Sequence, residues 1–135
     1  MKVFKIQDFM DLIETLDLGF DEKHIFGAKL NDKLDNSICV YEKQISNNMC
    51  LGGRKATKTK KAAFSLLLHW NKDYKETEEK AQELYNELEE LATGFQFDDF
   101  TIVWLHLEHA SSIDIERSAD GTWERIIELS MEYYI

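Results

Sequence analysis

The hydrophobic pattern changes period once along residues 62–92, and the change is sharp. Phe64, Leu66, Leu68 and Trp70 alternate with Ser65, Leu67 and His69, which is the two-residue period of a strand. Ala81, Leu84, Tyr85, Leu88, Leu91 and Ala92 then recur at i, i+3, i+4, i+7 spacing, which is one face of a helix. The polar hinge Asn71-Lys72-Asp73 separates the two, and Asp73 with Glu76 has the spacing of a capping box. The pattern predicts a strand over residues 62–70 and a helix over 73–92, with Gly94 ending the helix region.

The same reading extends to both sides. Residues 4–18 carry an apolar stripe of Ile6, Phe9, Met10, Ile13 and Leu16, and Gly19 follows as a helix stop. Residues 20–36 show no period and read as irregular. Ser37–Lys43 (SICVYEK) reads as the first strand. Residues 44–61 lack hydrophobic periodicity and contain Gly52-Gly53, so they read as a long loop. Residues 101–108 (TIVWLHLE) form a further strand after an acidic turn at Asp98-Asp99. Strand, helix and strand in that order make a βαβ unit. Residues 111–135 read as a hairpin about Asp120-Gly121, a strong turn signal. In its last strand Ile127, Leu129, Met131, Tyr133 and Ile135 alternate with Glu128, Ser130, Glu132 and Tyr134. One face is therefore buried and the other wetter.

The expected fold is α+β (mixed α/β): a single sheet of about four to five mostly antiparallel strands with one βαβ unit, packed by two helices. Residues 1–135 read as a single domain, with no linker, repeat or low-complexity tract. The chain has no proline. That removes one device for protecting sheet edges and points to an edge covered by a partner.

Composition narrows the function classes. A chain 44% hydrophobic and 31% charged is globular. No run approaches the length of a membrane helix, and the N-terminus lacks the apolar core of a signal peptide. A cytoplasmic, reduced setting is expected. Cys39 lies in an apolar strand and Cys50 in the loop. Their redox state is open, and CxxC spacing is absent.

The formal net charge is −10, which disfavours general nucleic-acid binding. The charge is unevenly spread. Residues 44–61 hold Arg54, Lys55, Lys58, Lys60 and Lys61 and no acid, so this segment carries +5 and the remainder −15. The predicted helix carries Glu79, Glu83 and Glu87 among eight acids against Lys75 and Lys80. A basic segment and an acidic helix on one chain suit head-to-tail contacts between copies. A solvated loop and a solvated helix face are the plainer alternative.

Candidate chemistry is sparse. His106, Glu108 and His109 read HLEH, but on a strand the two imidazoles point to opposite faces, so no metal site is assigned. His69 sits in a core-like strand and reads as a hydrogen-bonded structural residue. Asp98 and Asp99 read as a turn. Gly52-Gly53-Arg54-Lys55 does not meet the P-loop spacing. Neither cysteine sits in a nucleophile motif. Trp70, Trp104 and Trp123 fall on different strands and read as core or interface anchors. No catalytic residue and no cofactor site are assigned.

The run SLLLHWNKDYKETEEKAQELYNEL, the preceding NSICVYEK, the linker containing Gly52-Gly53 and the C-terminal hairpin strand resemble the small minor capsid proteins of tailed phages and prophages of Gram-positive bacteria. The likeness is to the tail-terminator group and covers essentially the whole chain. Its sharpest part is the strand–HWN–acidic helix junction over residues 65–88. The resemblance implies a mixed sheet packed by helices. It implies a virion protein, assembled in the host cytoplasm, that forms a homo-oligomeric, hexameric ring at the head–tail junction. Such a ring caps the tail tube protein and docks to the head connector. Residues 45–61 match the loop that similar rings place at an interface, which makes Arg54, Lys55, Lys58, Lys60 and Lys61 interface candidates, with Glu79, Glu83 and Glu87 as their counterpart. The family has no catalytic motif.

Three other readings remain open at this level. One is a different head–tail part, a stopper or connector. Another is an acidic cytoplasmic binding module, a DNA mimic or regulator. The last is a hydrolase using Asp98, Asp99 and His106.

Overall fold

A computed structural model of the chain describes residues 2–46, 52–53 and 58–135. Helix α1 (Ile6–Thr15) opens the fold, and a short 3-10 turn (Glu22–His24) leads into β1 (Ile25–Gly27) and β2 (Ser37–Lys43). Then come β3 (Lys60–His69), α2 (Tyr74–Glu90), β4 (Phe95–Phe97), β5 (Phe100–Leu107), β6 (Ile113–Arg117) and β7 (Trp123–Tyr134). The sheet order is β1-β2-β3-β7-β5-β4, and β6 also pairs with β7. All pairings are antiparallel except β1 with β2.

The sheet therefore has seven strands, against the four to five expected from periodicity. The two that periodicity does not reveal are β1 and β4. Each has three residues, too few to complete a recognisable alternation. The expected βαβ unit also takes a different form. Both β3 and β5 run antiparallel to β7, so they are parallel to one another but β7 lies between them. The last strand of the chain thus fills the centre of the sheet. It pairs with β3 along one side, and on the other with β5 over its C-terminal half and β6 over its N-terminal half.

Pairing partners point to the same side of a sheet, so register assigns the faces. Ile38, Val40, Phe64, Leu66, Ile127, Leu129, Met131 and Tyr133 lie on one face. They join Phe9, Leu12 and Ile13 of α1 and Ala81, Leu84 and Leu88 of α2 in one buried cluster. Both helices therefore cover the same face, α1 over β1 and β2 and α2 over β5 and β7. Five aromatic rings fill the centre: Phe4 meets Phe100 at 4.9 Å and Phe64 at 6.0 Å between centroids, and Phe9 and Tyr133 complete the group. Edge-on contacts of this kind add to the energy of burial alone.

Local chemistry explains the helix ends. The Asp73 carboxylate accepts from the Glu76 N–H at 3.2 Å, as its spacing predicts. The reciprocal half of the box is replaced: Asn71 Oδ1 accepts from the Asp73 N–H at 2.9 Å, while Asn71 Nδ2 donates to Glu76 at 2.7 Å. Helix α1 ends at Thr15, and the first left-handed residue after it is Asp17 rather than Gly19. Gly94 is required on two counts. Its φ is +110°, and an added Cβ would lie 2.8 Å from the Val103 carbonyl oxygen and 2.9 Å from that of Ile102. Gly121 has φ +90° in the β6–β7 turn, which is longer than two residues: Arg117 pairs with Trp123, and residues 118–122 form the loop.

The sheet edges are managed without proline. The outer strands β1 and β4 are short, and the β6–β7 pairing shifts register between Asp114 and Arg117. Short or bulged edges offer little template for further pairing.

Candidate functional site

The helix-free face of the sheet is polar. Register places Tyr41 and Lys43 of β2, Lys61 and Ser65 of β3, Glu128, Ser130 and Glu132 of β7, and Trp104 and His106 of β5 on it. Lys43, the last residue of β2, lies 2.8 Å from Glu128 and 3.1 Å from Glu108. His109 lies 3.2 Å from the other oxygen of Glu128. The Lys43 hydrogen bond, then that of His109, holds the Glu128 carboxyl below its ordinary range. Nearer the start of β3, Trp104 Nε1 donates to Glu132 at 2.7 Å and the Thr59 hydroxyl donates to the same carboxylate at 2.9 Å. The wetter positions of the β7 alternation foreshadow this row. The pairing of Lys43 with Glu108, just past β5, and Glu128 of β7 does not follow from sequence, because both lie far along the chain.

The basic residues gather where β3 begins. Lys60 and Lys61 belong to the strand itself, not to the preceding loop as the sequence suggests. Lys58 is exposed just before it. Arg54, Lys55 and Cys50 lie outside the described residues. An open cleft of about 680 Å³ lies beside this end, lined by residues that include Val3, Glu42, Ile45, Lys61 and Tyr133.

The acidic residues belong to α2, which packs on β7 and β5. Thr77, Ala81, Leu84, Tyr85 and Leu88 turn α2 towards the core. Glu79 and Glu83 are exposed and Glu87 is half-buried on its outer side. Glu83 reaches Lys80 at 3.6 Å. Lys80 is otherwise committed inward: its ammonium donates to the Leu18 carbonyl and stands over the rings of Phe20 and Trp70. None of the last-turn residues of α2 is basic, although Glu87, Glu89 and Glu90 crowd there. The helix dipole disfavours anions at a C-terminus, by about 0.3–1 kcal/mol each. Intrahelical stability does not account for these acids.

The catalytic alternative does not assemble. Asp98 and Asp99 form the turn between β4 and β5, where Lys2 pairs with both at 3.5 and 3.3 Å. His106 is six residues along β5 from that turn's end, roughly 20 Å away. His106 and His109 also fail to share a site, since His106 is inside β5 and His109 lies beyond it. Cys39 is fully buried with a free thiol, and burial raises its pKa, which opposes nucleophilic use. Among the described residues no helix is long and apolar enough to cross a membrane.

Similarity to known proteins agrees with this picture. No curated protein matches the chain. The family model for bacteriophage tail terminator protein matches residues 12–135, every element from the middle of α1 to the end of β7. The chain belongs to the bacteriophage tail terminator family, and is a structural protein of the phage head–tail assembly.

Proposed function

We propose that the protein is a tail terminator that closes into a homo-oligomeric, hexameric ring, caps the tail tube protein and presents its opposite side to the head connector. The family match over residues 12–135 carries this reading. A ring needs a heterologous contact, in which two different patches of each subunit meet. The basic segment, with Arg54, Lys55, Lys58, Lys60 and Lys61, is one patch. The outer side of α2, with Glu79, Glu83 and Glu87, is the other. The acids at the C-terminus of α2 support the pairing, because a cationic partner compensates what the helix dipole disfavours.

Light scattering across a concentration and salt series, with and without tail tube protein, tests the proposal. The expected result is a hexameric species, seen as rings by negative-stain microscopy and weakened by salt. Replacing Glu79, Glu83 and Glu87 with Lys abolishes it, and the matching reversal of Lys58, Lys60 and Lys61 to Glu restores it. A monomer under every condition, tail tube protein included, refutes the ring. Binding to the portal side in place of the tube makes the protein a stopper or connector.

A further inference from the structure

A second cluster lies at the far end of the sheet, where β3 stops. His69 closes that strand, and its imidazole is completely buried. Nδ1 is 2.8 Å from Glu124 Oε2 at the start of β7. An ionised carboxylate only accepts, so Nδ1 carries the proton, and in the neutral ring Nε2 is the acceptor nitrogen. Nε2 has no hydrogen-bond partner among the described residues. It points at Asp35 Oδ1, 3.6 Å away, just before β2. Asp120, from the β6–β7 turn, brings a third group. The ligand atoms of Asp35, His69 and Asp120 all lie within 4.8 Å of one another.

The two carboxylates are held in place. Asp35 Oδ1 accepts from the Thr122 hydroxyl at 2.9 Å. Asp120 Oδ1 accepts from the Ser118 hydroxyl and, at 3.4 Å, from the Thr122 N–H. Two carboxylates and the unpartnered nitrogen of a buried imidazole thus converge. The comparable group at Glu108, His109 and Glu128 differs, because there the Lys43 ammonium already supplies the positive charge.

We propose that Asp35, His69 and Asp120 bind a divalent cation of the zinc class, with Glu124 as the positioning residue behind His69. A carboxylate accepting the remote ring proton of a metal-binding histidine is the usual orienting contact. One nitrogen and two oxygens suit zinc-class ions better than calcium or magnesium, which favour oxygen alone. Ligands of a tetrahedral zinc stand ~3.4 Å apart. The His69–Asp35 spacing already meets this, and Asp120 closes the remainder by a small movement of its exposed turn. Asp35 is 39% exposed, so the ion has an entry path and water can fill an open position. Bound there, the ion joins three segments far apart in sequence.

The test titrates Zn²⁺ and Co²⁺ into the full-length protein carrying Cys50→Ser, by calorimetry and by visible Co²⁺ absorption. A ¹⁵N NMR spectrum of the His69 ring identifies the ligating nitrogen. The expected result is one saturable ion per chain, bound through Nε2, with melting temperature rising on addition. Asp120→Asn, an exposed change that leaves the fold intact, weakens binding at least tenfold, and Glu124→Gln weakens it by about tenfold. Glu128→Gln leaves it unchanged. The absence of saturable binding overturns the proposal. So does binding that survives Asp120→Asn, or that is lost with Glu128→Gln.

Discussion

Tyr133→Phe isolates a single hydrogen bond at the centre of the fold. The Phe4 N–H donates to the Tyr133 hydroxyl at 3.0 Å. Both residues are almost fully buried, at 2% and 1% exposure. The bond ties the segment ahead of α1 to the end of β7, and both rings belong to the aromatic group with Phe9, Phe64 and Phe100. Removing only the hydroxyl keeps the ring, its volume and its contacts, so no large cavity forms. It leaves the Phe4 N–H buried without a partner, which costs about 2 kcal/mol. Unfolding entropy is about 2.1 cal/mol/K per residue, so for a chain of this length the melting temperature falls by about 7 °C. Calorimetry measures that shift, and hydrogen exchange at the Phe4 amide locates it. Amide protection at Phe4 is expected to drop, while that of Leu66 in β3 follows only the global change. A loss under about 0.5 kcal/mol with Phe4 protection unchanged would refute the reasoning. It would mean that this N–H is satisfied some other way.

Gly94→Ala is expected to cost about 3 kcal/mol by denaturant unfolding, because it combines a strained φ with a clash against β5 backbone. Leu84→Ala empties a fully buried position of α2 against the sheet and is expected to cost about 2–5 kcal/mol in the same assay. Stability should also fall at alkaline pH. Burial pushes the Tyr41 phenol up to about 12 and also raises Tyr133 and Tyr85. Phenols whose folded pKa is raised contribute stability that is complete below the unfolded value, pH ~10, and is lost as pH rises through the folded value. Denaturation midpoints measured across that window should decline, and Tyr41→Phe should flatten the decline.

Much of the fold is legible in the chain. The strand read at Ser37–Lys43 forms with those bounds. The helix predicted over residues 73–92 forms as Tyr74–Glu90, capped by Asp73. The last strand buries Ile127, Leu129, Met131 and Tyr133 and leaves Glu128 and Glu132 wetter, as its period requires, but Ser130 of the wetter set is buried and Ile135 of the apolar set is exposed at the chain's end. The acidic outer side of α2 follows from the same helical spacing. These features are local: neighbouring residues carry the period, and burial of one face rewards it.

Pairing between distant segments is not local, and only the tertiary structure decides it. Nothing in the β3–α2–β5 stretch announces that β7 will lie between its two strands. The three-residue β1 and β4 exist because β2 and β5 offer them an edge, not because of their own propensity. The contacts of Lys43 with Glu108 and Glu128 depend on register across the sheet, as does the convergence of Asp35, His69 and Asp120. The sequence by itself determined the elements and their charged faces, through periodicities that span a few residues. The order of the strands, and which side chains meet across them, came from closing one core over one face of the sheet, a cooperative choice no short window contains.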